Sequence, residues 1–249
     1  MPNNRVGKLL AGLFAGSSRA PWLLVLLVLG LQTAFMLDSR ALWFSDEIRY
    51  ADAFSNLVNA KHWLVLHLNG QYYPDKPPLY FWFLWLARLA MGQEGPMLFF
   101  LGAAVSGLLL VLATLALGRV VSPRPAGNET TPTAGPEPRA VTLAAGLILL
   151  STFYLVGVCH YSRMDLLFAT LITLSHLCFF KAWQKPLAPV WAGLGGLLAA
   201  LATLTKGPLG LAFPLLASLA YLLWIGRWRR LLRWDVALAA GLCLTPLLA

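Results

Sequence analysis

Long apolar runs separated by short polar segments make up most of this chain. Six runs are long enough, or nearly so, to cross a bilayer as α-helices, which requires about 17–25 apolar residues. They cover residues 21–37, 96–121, 140–159, 166–180, 189–204 and 208–225, and a seventh begins at residue 236. The pattern predicts an all-α, polytopic integral membrane protein with about seven transmembrane helices. Because the sequence stops inside an apolar run, we expect residues 1–249 to be the N-terminal part of a longer membrane domain whose remainder is missing.

The first polar region, residues 38–95, predicts an outer loop that carries two helices at the membrane surface. In the first, apolar residues recur at helical spacing opposite a polar face, which indicates an amphipathic interfacial helix. These apolar residues are Ile48, Ala51, Phe54, Leu57 and Val58. The second, Leu79–Met91, has 13 residues and would reach only about 20 Å, short of a membrane core of about 30 Å. We expect its aromatic side chains to anchor it at the interface; they are Tyr80, Phe81, Trp82 and Trp85.

Composition agrees with a membrane protein. Of the residues, 59% are hydrophobic and only 12% are charged, whereas soluble domains carry about 25% charged residues. A soluble protein of this length has too small a core to hide so much apolar surface. The formal net charge of +9 would suggest nucleic-acid binding in a soluble protein, but the positions of the charges give another explanation.

The basic residues concentrate in segments that face one side of the membrane. If the N-terminus is inside and Leu79–Met91 does not cross, the inner segments hold 12 of the 19 basic residues and only three acidic ones. This positive-inside distribution puts the 122–139 linker inside, where the basic residues can also contact anionic lipid. If Leu79–Met91 crossed, the arginine-rich segment 226–234 would lie outside. We therefore predict a multi-pass protein of the bacterial inner membrane with a cytoplasmic N-terminus, a periplasmic active face and no nucleic-acid partner.

With this orientation, four polar clusters meet at the outer surface. They are D-E-I-R-Y at 46–50, Y-Y-P-D-K-P-P at 72–78, Y-S-R-M-D at 161–165 and T-K-G-P at 205–208. Asp165 and Lys206 lie between long apolar runs, where an unpaired charge is costly and usually marks function. Three basic residues beside two carboxylates suit a site that holds an anion. These residues are Lys76, Arg163 and Lys206 with Asp46 and Asp165.

The histidines show no metal-binding spacing. His62, His67 and His160 form neither an H-x-x-x-H nor an H-E-x-x-H pattern. We therefore expect them to be structural and predict no metal site, while participation of a divalent cation stays open.

Taken in order, the clusters resemble a known family. A D-E-x-R-Y stretch after the first helix, a K-P-P-L turn, an S-R-M-D segment and a T-K-G-P turn are similar to those of polyprenyl-phosphate-sugar-dependent glycosyltransferases of the C-type membrane fold. Bacterial lipid A aminoarabinose transferases resemble the pattern most, and protein O-mannosyltransferases more distantly. The likeness extends over about residues 22–234. One departure is Asp75, where that family commonly has Glu, which leaves the acceptor and any metal role of this position open.

The resemblance implies transfer of a sugar from a polyprenyl-phosphate donor to a lipid A-like glycolipid or a protein, with inversion at the anomeric carbon. Asp46 would be the base for a hydroxyl acceptor, or would orient substrates if the acceptor is a phosphate. Asp165 would bind the sugar or position the partners of Asp46. The remaining candidates would bind substrate, the basic ones stabilising the leaving phosphate; they are Arg49, Tyr50, Asp75, Lys76, Arg163 and Lys206.

Two other classes of protein remain as alternatives. A secondary transporter of an anionic or lipid-linked substrate would place ionisable residues near the bilayer midplane, in broken helices of two related halves. Here they lie at the ends of the predicted spans and no internal repeat is visible. A purely structural membrane subunit gives no reason for four charged clusters on one side.

The predicted orientation determines which positions an impermeant thiol reagent reaches. In full-length protein without other cysteines, Lys61→Cys and Lys76→Cys should react in intact cells. Lys181→Cys and Arg229→Cys should react only after lysis, because they lie among the inner basic residues. Labelling of Lys181→Cys in intact cells, with none of Lys61→Cys, would reverse the topology.

Overall fold

The computed structural model describes residues 41–92, 94–122, 138–159, 161–184 and 189–232, together with single helical residues between 23 and 34 and residue 241. Most of the predicted runs at 21–37 and 236–249, and most of the 122–139 linker, lie outside these residues. The elements are α1 (Ser45–Asn59), β1 (His67–Leu68), β2 (Gln71–Tyr72), α2 (Leu79–Met91), α3 (Pro96–Val121), α4 (Pro138–Ser151), α5 (Phe153–Cys159), α6 (Asp165–Gln184), α7 (Pro189–Lys206), α8 (Leu209–Trp224) and a 3₁₀ helix at Trp228–Leu232.

Two helices in the described ranges, α3 and α6, are long and apolar enough to cross a membrane. The α4–α5 pair adds a third candidate if its two helices form one span. Helix α8 has 16 residues and includes Pro214, so the run at 208–225 forms a shorter helix than its apolar length indicates. The predominantly helical, apolar character is confirmed, while the count of about seven spans stays a prediction.

The apolar run at 140–159 forms a bent pair rather than one straight helix. Helices α4 and α5 meet at 61°. The hydroxyls of Ser151 and Thr152 both donate to the carbonyl of Ile148, at 3.0 and 2.8 Å. Hydroxyls bonded to a helical carbonyl compete with the backbone ladder and commonly bend helices. The bend therefore has a local cause that hydropathy does not detect.

Helix α1 forms where predicted, and the face that it buries in the protein is offset from its predicted apolar face. Phe54 and Leu57 are buried in the protein, whereas Ile48 is exposed. Tyr50 and Ala53 are buried in its place. Tyrosine joins a large apolar ring to a polar hydroxyl, so a pattern of purely apolar residues leaves Tyr50 out. The interfacial position of α1 stays a prediction.

A short antiparallel β-hairpin departs from the all-α prediction. Its turn residues, Asn69 and Gly70, have positive φ angles of 51° and 74°. Two such residues in an Asn-Gly pair are typical of a type I′ hairpin turn. The Asp52 carboxylate of α1 accepts a hydrogen bond from the Asn69 amide at 2.7 Å. The hairpin is therefore attached to the polar face of α1.

Helix α2 has the predicted bounds, but two of its expected anchors are core residues. Tyr80 and Phe81 are fully buried, because α2 packs against α1, α3 and α7. Trp82 and Trp85 are half-buried, and the indole N–H of Trp82 donates to the carbonyl of Trp63 at 2.8 Å. The anchoring expectation is thus wrong for Tyr80 and Phe81, and the interfacial position of α2 stays a prediction.

One aromatic-rich core lies under the loop helices and fixes them to the longer helices. Tyr50 meets Tyr80 and Phe81 edge-on, with ring centroids 5.9 and 5.7 Å apart. Edge-to-face contacts add to the stabilisation from burial. Other members come from α1, α3, α6 and the segment before α6: Phe54, Phe99, Phe168 and Met164.

Glycines allow α7 to pack closely on its neighbours. At Gly195, an added Cβ would lie 3.1 Å from the Phe179 ring of α6. At Gly210 in α8, it would lie 2.2 Å from the backbone nitrogen of Thr203 in α7. Small residues permit this approach between membrane helices. Since Lys206 ends α7, the packing also determines where that lysine lies.

Replacing Gly210 tests the close approach of α7 and α8. Gly210→Ala should lower the thermal unfolding midpoint of the full-length protein in detergent, because the new methyl group pushes backbone apart; such overpacking costs about 1–3 kcal/mol. Gly157→Ala is the matched control, since a Cβ added at Gly157 would have nothing within 4 Å. Alanine also favours a helix over glycine by up to about 1 kcal/mol. Equal midpoints for the two variants would contradict the packing.

Candidate active site

At residues 162–165, where the chain enters α6, buried and partly exposed side chains alternate. Ser162 and Met164 are buried, whereas Arg163 and Asp165 are partly exposed. In extended backbone, successive side chains point to opposite sides. Met164 enters the aromatic core, and the Ser162 hydroxyl lies 3.0 Å from that of Tyr80. Arg163 and Asp165 are left together on the accessible side.

Arg163 joins two carboxylates that come from different elements. Its Nη2 lies 3.1 Å from Asp46 Oδ2 of α1, and its Nε lies 3.2 Å from Asp165 Oδ2 of α6. Asp165 also pairs with Lys206, the last residue of α7. Arg49 adds a looser contact, 3.7 Å from Asp46 Oδ1. These five residues, from three of the predicted clusters, form what we call the ion-pair network.

The ion-pair network carries more positive than negative charge and is open to a ligand. Three cations face two carboxylates, which leaves a net charge of +1. The side chains of Asp46 and Arg49 are 25% and 56% exposed. Burial alone would lower the pKa of Arg163, but Asp165 and Asp46 outweigh it and raise the pKa. Arg163 therefore stays charged and is a donor that suits a phosphate.

Two tyrosines adjoin the network as neutral groups. Burial, followed by the charge of Asp46, raises the pKa of both Tyr50 and Tyr161. The Arg163 guanidinium lies 5.2 Å from the centre of the Tyr161 ring, within cation–π range. Both phenols therefore stay protonated at neutral pH. Tyr50 is almost fully buried, so it is the least accessible of the residues predicted to bind substrate.

The K-P-P segment approaches the network without joining it. Burial and then Asp75 raise the pKa of Tyr73, which also feels the charges of Arg49 and Asp46. Tyr73 is therefore within electrostatic range of both the segment and the network. In the described ranges, no ion pair links Asp75 or Lys76 to the five residues. Lys76 is half-buried and Asp75 is exposed.

Glu47 is the most buried of the carboxylates that the structure describes, and it is not among the site residues predicted from the sequence. Its Oε1 accepts a hydrogen bond from the Ser162 amide at 3.1 Å. Its Oε2 accepts bonds from the amides of Trp43 and Phe44 at 3.0 and 3.2 Å. Phe44 is the N-cap of α1, so Asp46 lies in the first turn rather than at the cap. A Glu three residues after the N-cap is half of a capping box, which is the available sequence signal.

His62 and His67 have contacts within the predicted outer loop, residues 38–95. His62 and His67 stack with their centroids 3.8 Å apart. The Nδ1 of His67 lies 3.1 Å from the carbonyl oxygen of Val65. Of the side chains that the structure describes, no group of three or more His, Cys, Asp or Glu is placed to hold a metal ion. His160 is outside the described residues.

Comparison with known proteins identifies relatives over nearly the whole chain. The undecaprenyl phosphate-alpha-4-amino-4-deoxy-L-arabinose arabinosyl transferase 2 of Proteus mirabilis is 31% identical over 99% of this chain and 41% of its own length. The corresponding transferase of Pseudomonas savastanoi pv. phaseolicola is 28% identical over 86% of the chain and 38% of its own length. The family model described as dolichyl-phosphate-mannose-protein mannosyltransferase matches residues 137–249. The predicted resemblance is confirmed. The chain spans about 40% of the length of these relatives.

A solved structure shares the fold. ArnT from Cupriavidus metallidurans, in crystals with bound undecaprenyl phosphate, has a TM-score of 0.73 and 22% identity to this chain. The match covers 92% of this chain and 40% of that one. The apo form gives the same TM-score at 23% identity. The described helices therefore adopt the arrangement of this membrane-protein fold.

Proposed function

We propose that the full-length protein transfers 4-amino-4-deoxy-L-arabinose from undecaprenyl phosphate to lipid A at the outer face of the inner membrane. The relatives that match nearly the whole chain are named for that donor and sugar. The fold neighbour was crystallised with the donor's lipid phosphate. The mannosyltransferase family model makes polyprenyl-phosphate mannose the competing donor.

The ion-pair network is the observation that carries the proposal. A lipid-linked sugar has an apolar tail, a phosphate at headgroup depth and a polar sugar. The charges of the network would suit the phosphate and the sugar, and the apolar helices would suit the tail. These charges lie at the ends of apolar helices: Asp165 begins α6 and Lys206 ends α7. Charged groups between long apolar segments are costly unless paired or functional. The excess positive charge supports binding of a phosphate.

The proposed reaction breaks the bond between the anomeric carbon and the phosphate oxygen. The electron pair leaves with undecaprenyl phosphate, and an acceptor oxygen forms the new bond from the opposite face, so the anomeric centre inverts. Negative charge grows on the phosphate during this step. Lys206 and Arg163, with Lys76 from the neighbouring segment, would stabilise that charge.

The two network carboxylates have different proposed roles. Asp46 is the more exposed, at 25% against 18% for Asp165. We assign Asp46 as the base that takes the proton of a hydroxyl acceptor, or as an orienting group if the acceptor is a phosphate. Asp165 is held by Arg163 and Lys206. It would position these cations and bind the amino group or hydroxyls of the sugar.

The proposal includes the finer topology. About seven spans with a cytoplasmic N-terminus would place the network on the periplasmic side, where a lipid A acceptor is found. The basic residues at 227–230 would then lie in the cytoplasm. A transporter is less well supported, because the charged residues of the network sit at helix ends rather than in mid-helix positions.

Removing the basicity of Asp46 tests the proposed reaction. Purified full-length protein should transfer aminoarabinose from undecaprenyl phosphate to lipid A, read by mass spectrometry, and should not transfer mannose. Asp46→Asn keeps the size of the side chain but removes its charge, so turnover should fall about 10²–10⁴-fold while donor lipid still binds. Near-normal transfer by Asp46→Asn would end its candidacy as the base. Transfer of mannose alone would reassign the donor.

Replacing Lys76 should weaken donor binding as well as turnover. Two prolines follow Lys76 and restrict its backbone, so its ammonium would meet the phosphate both before and during reaction. Lys76→Ala should therefore raise the Kd for undecaprenyl phosphate and lower kcat. Lys61→Ala is the control, an exposed lysine of the same loop. Unchanged affinity in Lys76→Ala would move the phosphate to Arg163 and Lys206.

A further inference from the structure

Two neighbouring residues of α1 contact two neighbouring residues of the segment before α6. Asp46 pairs with Arg163 on the accessible side. Directly behind them, Glu47 accepts a hydrogen bond from the Ser162 amide, and both of these residues are fully buried. The exposed ion pair thus rests on a buried hydrogen bond between adjacent residues of the same two segments.

The buried contact also reaches the third polar segment. The Ser162 hydroxyl lies 3.0 Å from the hydroxyl of Tyr80, which is itself fully buried. Tyr80 is in the first turn of α2, and Pro78 is the N-cap of that helix. The chain Glu47–Ser162–Tyr80 therefore connects the segments that carry Asp46, Arg163 and the K-P-P turn, without any of its members being exposed to a ligand.

The carboxylate at position 47 accepts from backbone donors on both of its oxygens. Oε1 faces the Ser162 amide, while Oε2 faces those of Trp43 and Phe44. A glutamine has only one acceptor oxygen, and its amide NH₂ is a donor. In either orientation, its NH₂ group would face backbone N–H groups, either that of Ser162 or those of Trp43 and Phe44. Leaving a buried donor unsatisfied carries the full cost of its desolvation.

We propose that Glu47 is the positioning residue that holds Asp46 in register with Arg163, and that Ser162 and Tyr80 extend this support to α2. The inference rests on the proposed function but concerns a residue that touches no substrate. Hydrogen bonds from a rigid, buried group hold an exposed side chain within the narrow limits that catalysis requires. A displacement of about 1 Å in such a site costs about 10²-fold in rate.

The kinetic test uses Glu47→Gln in the full-length protein. We expect kcat to fall about 10²-fold while the KM for the donor changes little, because the cations of the network remain. Glu94→Gln is the matched control, since Glu94 is an exposed carboxylate paired with Arg88 away from the network. A Glu47→Gln enzyme with the kcat of the wild type would overturn the inference.

A second measurement separates positioning from general stability. The affinity for undecaprenyl phosphate is measured for Asp46→Asn, Arg163→Gln and their double variant, with Glu47 present and with Glu47→Gln. With Glu47 present, the two effects should be non-additive by about fivefold or more, as expected for residues in contact. With Glu47→Gln they should become additive. Non-additivity that survives Glu47→Gln would assign Glu47 a purely structural role.

Milder variants test the support from Ser162 and Tyr80, including when Glu47→Gln does not fold. Ser162→Ala and Tyr80→Phe each remove the same hydroxyl contact, so each should lower kcat, and the double variant should lower it no further. Normal kcat in both would overturn the proposed extension of this support to α2, since the bond to Glu47 comes from the Ser162 backbone amide. Failure of the wild type to transfer any sugar would instead reject the proposed function, and the affinity cycle would still test the role of Glu47.

Discussion

The guanidinium of Arg163 stands between two carboxylates that belong to different helices, and the arrangement of the polar end depends on it. Without Arg163, Asp46 would lose its closer cation and Asp165 would keep only Lys206 of the network's cations. Both carboxylates lie beside long apolar segments, where an incompletely paired charge is costly. A planar group with donors on several sides satisfies both at once. Helices α1 and α6 are thereby fixed relative to each other by charge at the surface and by the aromatic core below.

Much of the helical framework can be predicted from the sequence, because long apolar runs indicate helices that can lie in a bilayer. The bounds of α2 are as predicted, and the residues from three of the four clusters do converge. Other features escape hydropathy. The bend at α4–α5 comes from hydroxyl side chains, and the hairpin comes from an Asn-Gly pair. Periodicity identifies an apolar face but does not say that Tyr50 enters it.

Glu47 illustrates a different limit. A carboxylate in a polar motif indicates solvent or chemistry, yet this one is buried and accepts hydrogen bonds from three backbone amides. Its neighbour Asp46 has the same charge and faces outward. The two side chains lie in different environments because adjacent residues of an α-helix point about 100° apart around its axis. Sequence marks such a site as polar, whereas the packing of Ser162 and Tyr80 determines which of the two acids is enclosed.

The alternation at residues 162–165 constrains the number of residues in this segment more than it constrains which residues they are. Inward and outward side chains follow one another there, with Met164 in the core and its neighbours at the surface. Insertion or deletion of a single residue would exchange the two sets, directing a charge into the aromatic core and a thioether outward. We therefore expect this segment to tolerate replacement of its side chains more readily than any change in its spacing to α6.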